Sequence, residues 1–125
     1  MSTNKKILIV DDETKILELL AKKFSDEGFD VIKARDGEEG LKLAISKKPD
    51  VILLDIIMPK MDGLTMLQRL RKDSWGRGVK VVILTNLSDG ESLSQALEGR
   101  AFDFLIKSDW KLEDVIKKVK ARLVS

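Results

Sequence analysis

The chain has neither cysteine nor histidine. The first absence removes disulfides, thiolate nucleophiles and zinc-thiolate centres together, and it suits a reducing compartment. The second removes a histidine general base, a histidine metal ligand and any role as a phosphohistidine carrier. An excess of one charge is also missing. Its 23 basic and 21 acidic side chains leave a formal net charge of +2, too little for a global field toward nucleic acid or a membrane. Met1-Ser2-Thr3-Asn4-Lys5-Lys6 leads directly into a strand-like segment, so neither a signal peptide nor a membrane span is expected. There is no internal repeat, low-complexity run or linker. A cytoplasmic protein that recognises its partners locally is the expectation.

What is present reads as one domain, 1–125. The chain is 43% hydrophobic and 35% charged, an ordinary globular balance, and 125 residues close one core without room for a second module. Short apolar runs at Lys6–Val10, Asp30–Ala34, Val51–Leu54, Val79–Leu84 and Asp103–Ile106 read as strands. The third run is four consecutive apolar residues between Lys48-Pro49-Asp50 and the Pro59 and Asp62-Gly63 turn signals, the mark of a strand buried on both faces.

Between the strands, apolar residues recur at helical spacing. Ile16, Leu17, Leu20, Ala21 and Phe24 form one stripe, stopped at Gly28. Asp36 and Ser88 each begin a capping pattern with a glutamate three residues on, Glu39 and Glu91. The buried sides that follow are Leu41, Ala44 and Ile45 in one helix, and Leu93, Ala96 and Leu97 in the other. Gly63 to about Lys72 turns Leu64, Leu67 and Leu70 inward, and the last helix carries Leu112, Val115, Ile116, Val119 and Leu123. Its lysines read as a solvated face complementing the helix dipole. Five strand and helix alternations with right-handed parallel crossovers predict a doubly wound α/β sandwich of three layers.

Ligands of open α/β sheets bind outside the carboxyl ends of the strands. There the sequence places Asp11 and Asp12, then Asp55, Thr85 and Lys107. Singly, each has a bland reading: Asp12 as a helix cap, Thr85 as a β-branched strand residue, Lys107 as a solvated lysine. Together, three carboxylates repel and need a cation among them. Oxygen-only ligands suit a hard ion, and two or three carboxylates with room for water suit Mg²⁺ better than a full Ca²⁺ cage. A metal, a lysine, a hydroxyl and a free carboxylate are equipment for a phosphoryl group, with Asp55 as the nucleophile.

At this point the chain resembles the receiver domain of bacterial two-component response regulators, in a single-domain form like the chemotaxis regulator. The resemblance runs through Ile9-Val10-Asp11-Asp12-Glu13, Leu53-Leu54-Asp55 to Asp62-Gly63, Leu84-Thr85-Asn86 and Phe104-Leu105-Ile106-Lys107. It implies a flavodoxin-like (βα)5 sandwich with parallel strand order 2-1-3-4-5. It implies that Asp55 accepts a phosphoryl group from a sensor histidine kinase or a histidine phosphotransfer protein, so that the chain is a signalling phosphoacceptor rather than an enzyme. Asp12 and Asp55 would bind Mg²⁺, with Asp11 assisting through water and the Ile57 carbonyl completing the protein ligands. Lys107, the Thr85 hydroxyl and the Asn86 backbone N–H would hold phosphoryl oxygens. Phe104 would be the switch aromatic, turning inward and altering the surface of the fourth helix, last strand and last helix for a downstream effector protein. Neither nucleic acid nor membrane is a direct partner in this reading, and the state is a monomer or a weak, phosphorylation-dependent dimer. The first helix and the loop after the last strand would meet the kinase, which nominates Leu17, Leu20 and Trp110.

Several positions depart from the family pattern. Ser108 stands where proline commonly follows the lysine, Phe104 replaces a frequent tyrosine, and Arg100 precedes Ala101 where glycine is usual. Ile57 and Leu87 are apolar where some relatives use polar groups to position the hydrolytic water, which predicts a long-lived acyl phosphate. Two rivals stand beside this reading. One is a scaffold that keeps the fold without phosphorylation. The other is an aspartyl-phosphate phosphatase, weakened because Ile56-Ile57 follows Asp55 where a further acid is usual in haloacid-dehalogenase-like sites.

Overall fold

The computed structural model describes residues 5–55, 58, 60–85, 103–106 and 111–123. In chain order these form β1 (Lys6–Val10), α1 (Thr14–Asp26), β2 (Asp30–Ala34), α2 (Gly37–Lys47), β3 (Val51–Leu54), α3 (Gly63–Lys72), β4 (Lys80–Thr85), β5 (Asp103–Ile106) and a C-terminal helix, α4 (Leu112–Leu123). The strands make one five-stranded sheet in the order β2-β1-β3-β4-β5. Every pairing is parallel, with Val10 opposite Leu54 and Thr85 opposite Ile106. This is the flavodoxin-like topology expected from the sequence. β4 begins and ends one residue later than its apolar run. The helix expected after Ser88 lies outside the described residues.

Alternation along β1 to β4 divides the core in two. Leu8, Val10, Ile52, Leu54, Val81 and Ile83 pack on one face against Ala44 of α2 and Met66, Leu67 and Leu70 of α3. Ile7, Ile9, Leu53, Val82 and Leu84 pack on the other against Leu17, Leu20 and Phe24 of α1 and Val115, Ile116 and Val119 of α4. A strand covered on both faces needs apolar residues at every position, which is why β3 reads as an unbroken apolar run. Each such side chain, fully removed from water, contributes roughly 1.5–3 kcal/mol before entropy is counted. Phe24 and Phe29 also meet edge to face, with ring centroids 5.2 Å apart.

Three details differ from expectation. Leu17 and Leu20 are fully buried, so they are core residues and cannot meet a partner, whereas their neighbour Leu19 is 49% exposed. Ile45 is exposed rather than inward; Gly40 and Ala44 instead face the sheet, and the small side of α2 seats it closely. Met66 is fully buried, beyond the expected Leu67 and Leu70. Trp75 is half-buried and packs against the α2–α3 side of the core. No helix among the described residues is long and apolar enough to cross a membrane.

Candidate functional site

β1 and β3 are neighbours, so parallel pairing brings their carboxyl ends side by side. The Asp55 N–H donates to the Val10 carbonyl at 2.9 Å, continuing the ladder one residue past the strand. On the other side of β1, the Asp11 N–H donates to the Ala34 carbonyl at 3.0 Å. The two backbones are therefore fixed by the sheet itself, and their side chains leave the sheet at the same edge.

Among the described residues, Asp11 and Asp55 are the two buried ionisable side chains, 2% and 5% exposed. Asp12, next to them, is exposed. One carboxylate oxygen from each of the three lies within 4.8 Å of the others. Carboxylates are rarely buried without donors or a cation to balance them, so two placed here beside a third need compensation. Asp11 has part of it locally: its Oδ1 accepts the Glu13 N–H at 2.9 Å. That bond orients Asp11. The N-cap of α1 is Glu13, which makes no side-chain capping bond, so Asp12 is not a cap. Its carboxylate is left to the cluster.

The donor set is all oxygen, part buried and part open to water, the chemistry of a hard divalent ion that keeps some of its waters. The acids thus fit Mg²⁺, with Asp12 on the solvent side and Asp11 and Asp55 behind it.

The remaining candidates divide by what the structure describes. Thr85 is the last residue of β4, and Phe104, paired with Ile83, is the second residue of β5. Both therefore sit at or near the carboxyl edge that carries the acids. Ile57, Asn86 and Lys107 lie outside the described residues, as do Leu87, Arg100, Ser108 and Trp110. The Asp11 bond to Glu13 was not anticipated, although an aspartate two residues before a helix-initiating position is a recognisable turn signal.

Positions 7–120 match the model of the response regulator receiver domain. A probable transcriptional regulator, ycf27, from Guillardia theta is 42% identical over 124 residues, which is 98% of this chain and 48% of that protein. The chain thus spans about half the length of the curated relatives it matches. Among solved structures, the receiver domain of the Francisella response regulator 1452 aligns with a TM-score of 0.87 and 33% identity, covering 96% of this chain and 97% of that one. A CheY-like receiver domain protein from Methanospirillum hungatei aligns with a TM-score of 0.90 and 30% identity, covering 97% and 94%.

Proposed function

Because this chain belongs to the response regulator receiver domain family, a signalling module of two-component systems, we propose that it is a Mg²⁺-dependent phosphoacceptor whose reactive group is Asp55. The observation that carries the reading is the convergence of Asp11, Asp12 and Asp55 within 4.8 Å, two of them buried at the carboxyl ends of adjacent strands.

In this reading Asp12 and Asp55 hold the ion, Asp11 assists through water, and the Ile57 carbonyl completes the protein ligands. The ion, when bound, offsets negative charge on the phosphoryl oxygens and on the acids around them. A carboxylate oxygen of Asp55 forms a bond to phosphorus while the phosphorus–nitrogen bond of a donor phosphohistidine breaks. The departing nitrogen keeps that electron pair and takes a proton from water. Lys107, the Thr85 hydroxyl and the Asn86 N–H receive the phosphoryl oxygens on Asp55.

The new group brings roughly −1.5 to −2 charge and three strong acceptors, enough to bias two packings a few kcal/mol apart. Thr85, at the end of β4, is drawn toward it, and Phe104 on β5 follows, altering the surface formed by the helix expected after Ser88, β5 and the C-terminal helix α4. A downstream effector protein reads that surface. The chain is one receiver domain over 1–125, and its phosphodonor is a sensor histidine kinase or histidine phosphotransfer protein in the cytoplasm. It contacts neither nucleic acid nor membrane directly, and any dimer is weak and phosphorylation-dependent.

The test is incubation with a small-molecule phosphodonor, with and without Mg²⁺, followed by detection of an acid-stable, base-labile acyl phosphate. Labelling that requires Mg²⁺ supports the reading. Absence of both labelling and Mg²⁺ binding, where a known receiver is labelled, favours the scaffold.

A further inference from the structure

The geometry points to Gly37 as a positioning residue for the segment that follows Asp55, an inference that rests on the phosphoacceptor reading above. Gly37 is the first residue of α2 and is buried. Its N–H donates to the Met61 carbonyl at 2.9 Å, joining α2 to the chain that leads from Asp55 into α3. A Cβ at position 37 would stand 2.3 Å from the Met61 oxygen, 2.9 Å from the Met61 carbonyl carbon and 3.1 Å from the Asp62 oxygen. All three are backbone atoms, so no rotamer change relieves the overlap. Only a residue without a side chain lets the two backbones meet here.

This contact adds to the backbone bonds that hold two members of the acidic cluster, Asp11 and Asp55. Asp55 is tied to Val10, and Asp11 to Ala34, by backbone hydrogen bonds of 2.9 and 3.0 Å. From Ala34 two residues lead to Gly37, and from Met61 the chain returns to Asp55. The Gly37 contact with Met61 is stiffened on both sides. Asp36 caps α2 by accepting the Glu39 N–H at 2.8 Å, while its other oxygen lies 3.7 Å from Lys60 Nζ. Asp62 caps α3 by accepting the Thr65 N–H at 2.8 Å. Lys60 sits between these caps at φ 65°, a left-handed conformation that a lysine adopts only when its surroundings hold it there. Asp55 is therefore held by the sheet, and Met61, further along the chain, by α2. Gly37 decides how near that second anchor lies.

The experiment compares the wild type with Gly37→Ala and Gly40→Ala. Gly40 lies one turn further along α2, where an added Cβ would meet Met66 Sδ and Val10 Cγ2 at 3.0 Å, both side-chain atoms. It controls for overpacking of the same helix without pushing on the Met61 carbonyl. Mg²⁺ affinity is measured by calorimetry without phosphodonor, the labelling rate at saturating Mg²⁺, and Tm for each protein. Misplacing a reacting group by about 1 Å can cost about a hundredfold, so Gly37→Ala is expected to label at least about tenfold more slowly and to bind Mg²⁺ more weakly, with Gly40→Ala near wild type on both. Equal effects of the two substitutions, or labelling and Mg²⁺ affinity unchanged in Gly37→Ala, overturn the assignment. If Gly37→Ala does not fold, the wild-type Gly37 amide resonance decides. It should move along the Mg²⁺ titration with the half-saturation found by calorimetry, and an amide indifferent to Mg²⁺ overturns the assignment. A wild type that accepts no phosphoryl group defeats the underlying reading instead, so the two failures are distinguishable.

Discussion

Asp12→Asn is expected to raise stability in EDTA and to lower the response to Mg²⁺. The substitution removes one of three clustered charges and leaves an oxygen of the same shape. Asp12 lies within 4.8 Å of a carboxylate oxygen on each of Asp11 and Asp55. In bulk water two unit charges at that distance repel by ~0.9 kcal/mol, and Asp12 is exposed, so the water limit applies and salt screens the pair little over so short a span. Two such pairs set an upper limit of about 2 kcal/mol on how much more stable the variant is than wild type without divalent metal, since hydrogen bonds such as that from the Glu13 N–H to Asp11 offset part of the repulsion. Mg²⁺ then acts in the opposite direction. A ligand that binds only the folded state stabilises it by about 2.7 kcal/mol at a hundredfold excess over Kd, and the variant, with one fewer carboxylate, gains less. The stability difference should shrink or invert as Mg²⁺ is added. Urea unfolding of both proteins in EDTA and across a Mg²⁺ series reads this directly. A variant no more stable than wild type in EDTA would mean the three charges are already compensated by protein groups. Equal Mg²⁺-induced shifts would mean Asp12 does not hold the ion.

Two further outcomes are expected. Lys120 Nζ lies 2.6 Å from Glu27 Oε1, and its hydrogen bond, then its charge, hold the Glu27 carboxyl below its ordinary value of 4.5. A depressed carboxylate contributes stability that is present above pH 4.5 and is lost as pH falls through the lowered value, so Glu27→Gln should flatten that part of the acid limb in urea midpoints measured against pH. An acid limb of unchanged steepness would refute it. The apolar Ile57 and Leu87 predict a long-lived acyl phosphate. Ile57→Asn or Leu87→Glu should shorten its half-life, followed by loss of label after the donor is removed, and a half-life shortened by neither would count against the idea.

Much of the fold was legible because its signals are local. Five apolar runs gave the strands, and the parallel sheet follows once helices alternate with them. The acidic cluster was legible for a topological reason: an acid at the end of β1 and another at the end of β3 must meet if those strands are neighbours. Other features were hidden because they depend on which face an element turns inward. Ile45 is apolar at helical spacing, yet the close approach allowed by Gly40 and Ala44 leaves it outside. Leu17 and Leu20 were nominated for a partner, although their own periodicity placed them in the core. The Asp36–Glu39 pattern did mark a helix start, but Glu39 Oε1 accepts from the Arg35 N–H, one residue before the cap. The Gly37 contact with Met61 joins two backbones far apart in sequence, and no spacing rule announces it.

Asp55 is expected to accept the phosphoryl group with Mg²⁺ held beside it. Intact-mass measurement of the wild type and of Asp55→Asn, each with a small phosphodonor in Mg²⁺ and in EDTA, tests it most directly. One added phosphoryl group on the wild type in Mg²⁺, absent in EDTA and absent from Asp55→Asn in either condition, is the predicted result. An adduct of equal yield on Asp55→Asn, or one indifferent to EDTA, would contradict the account.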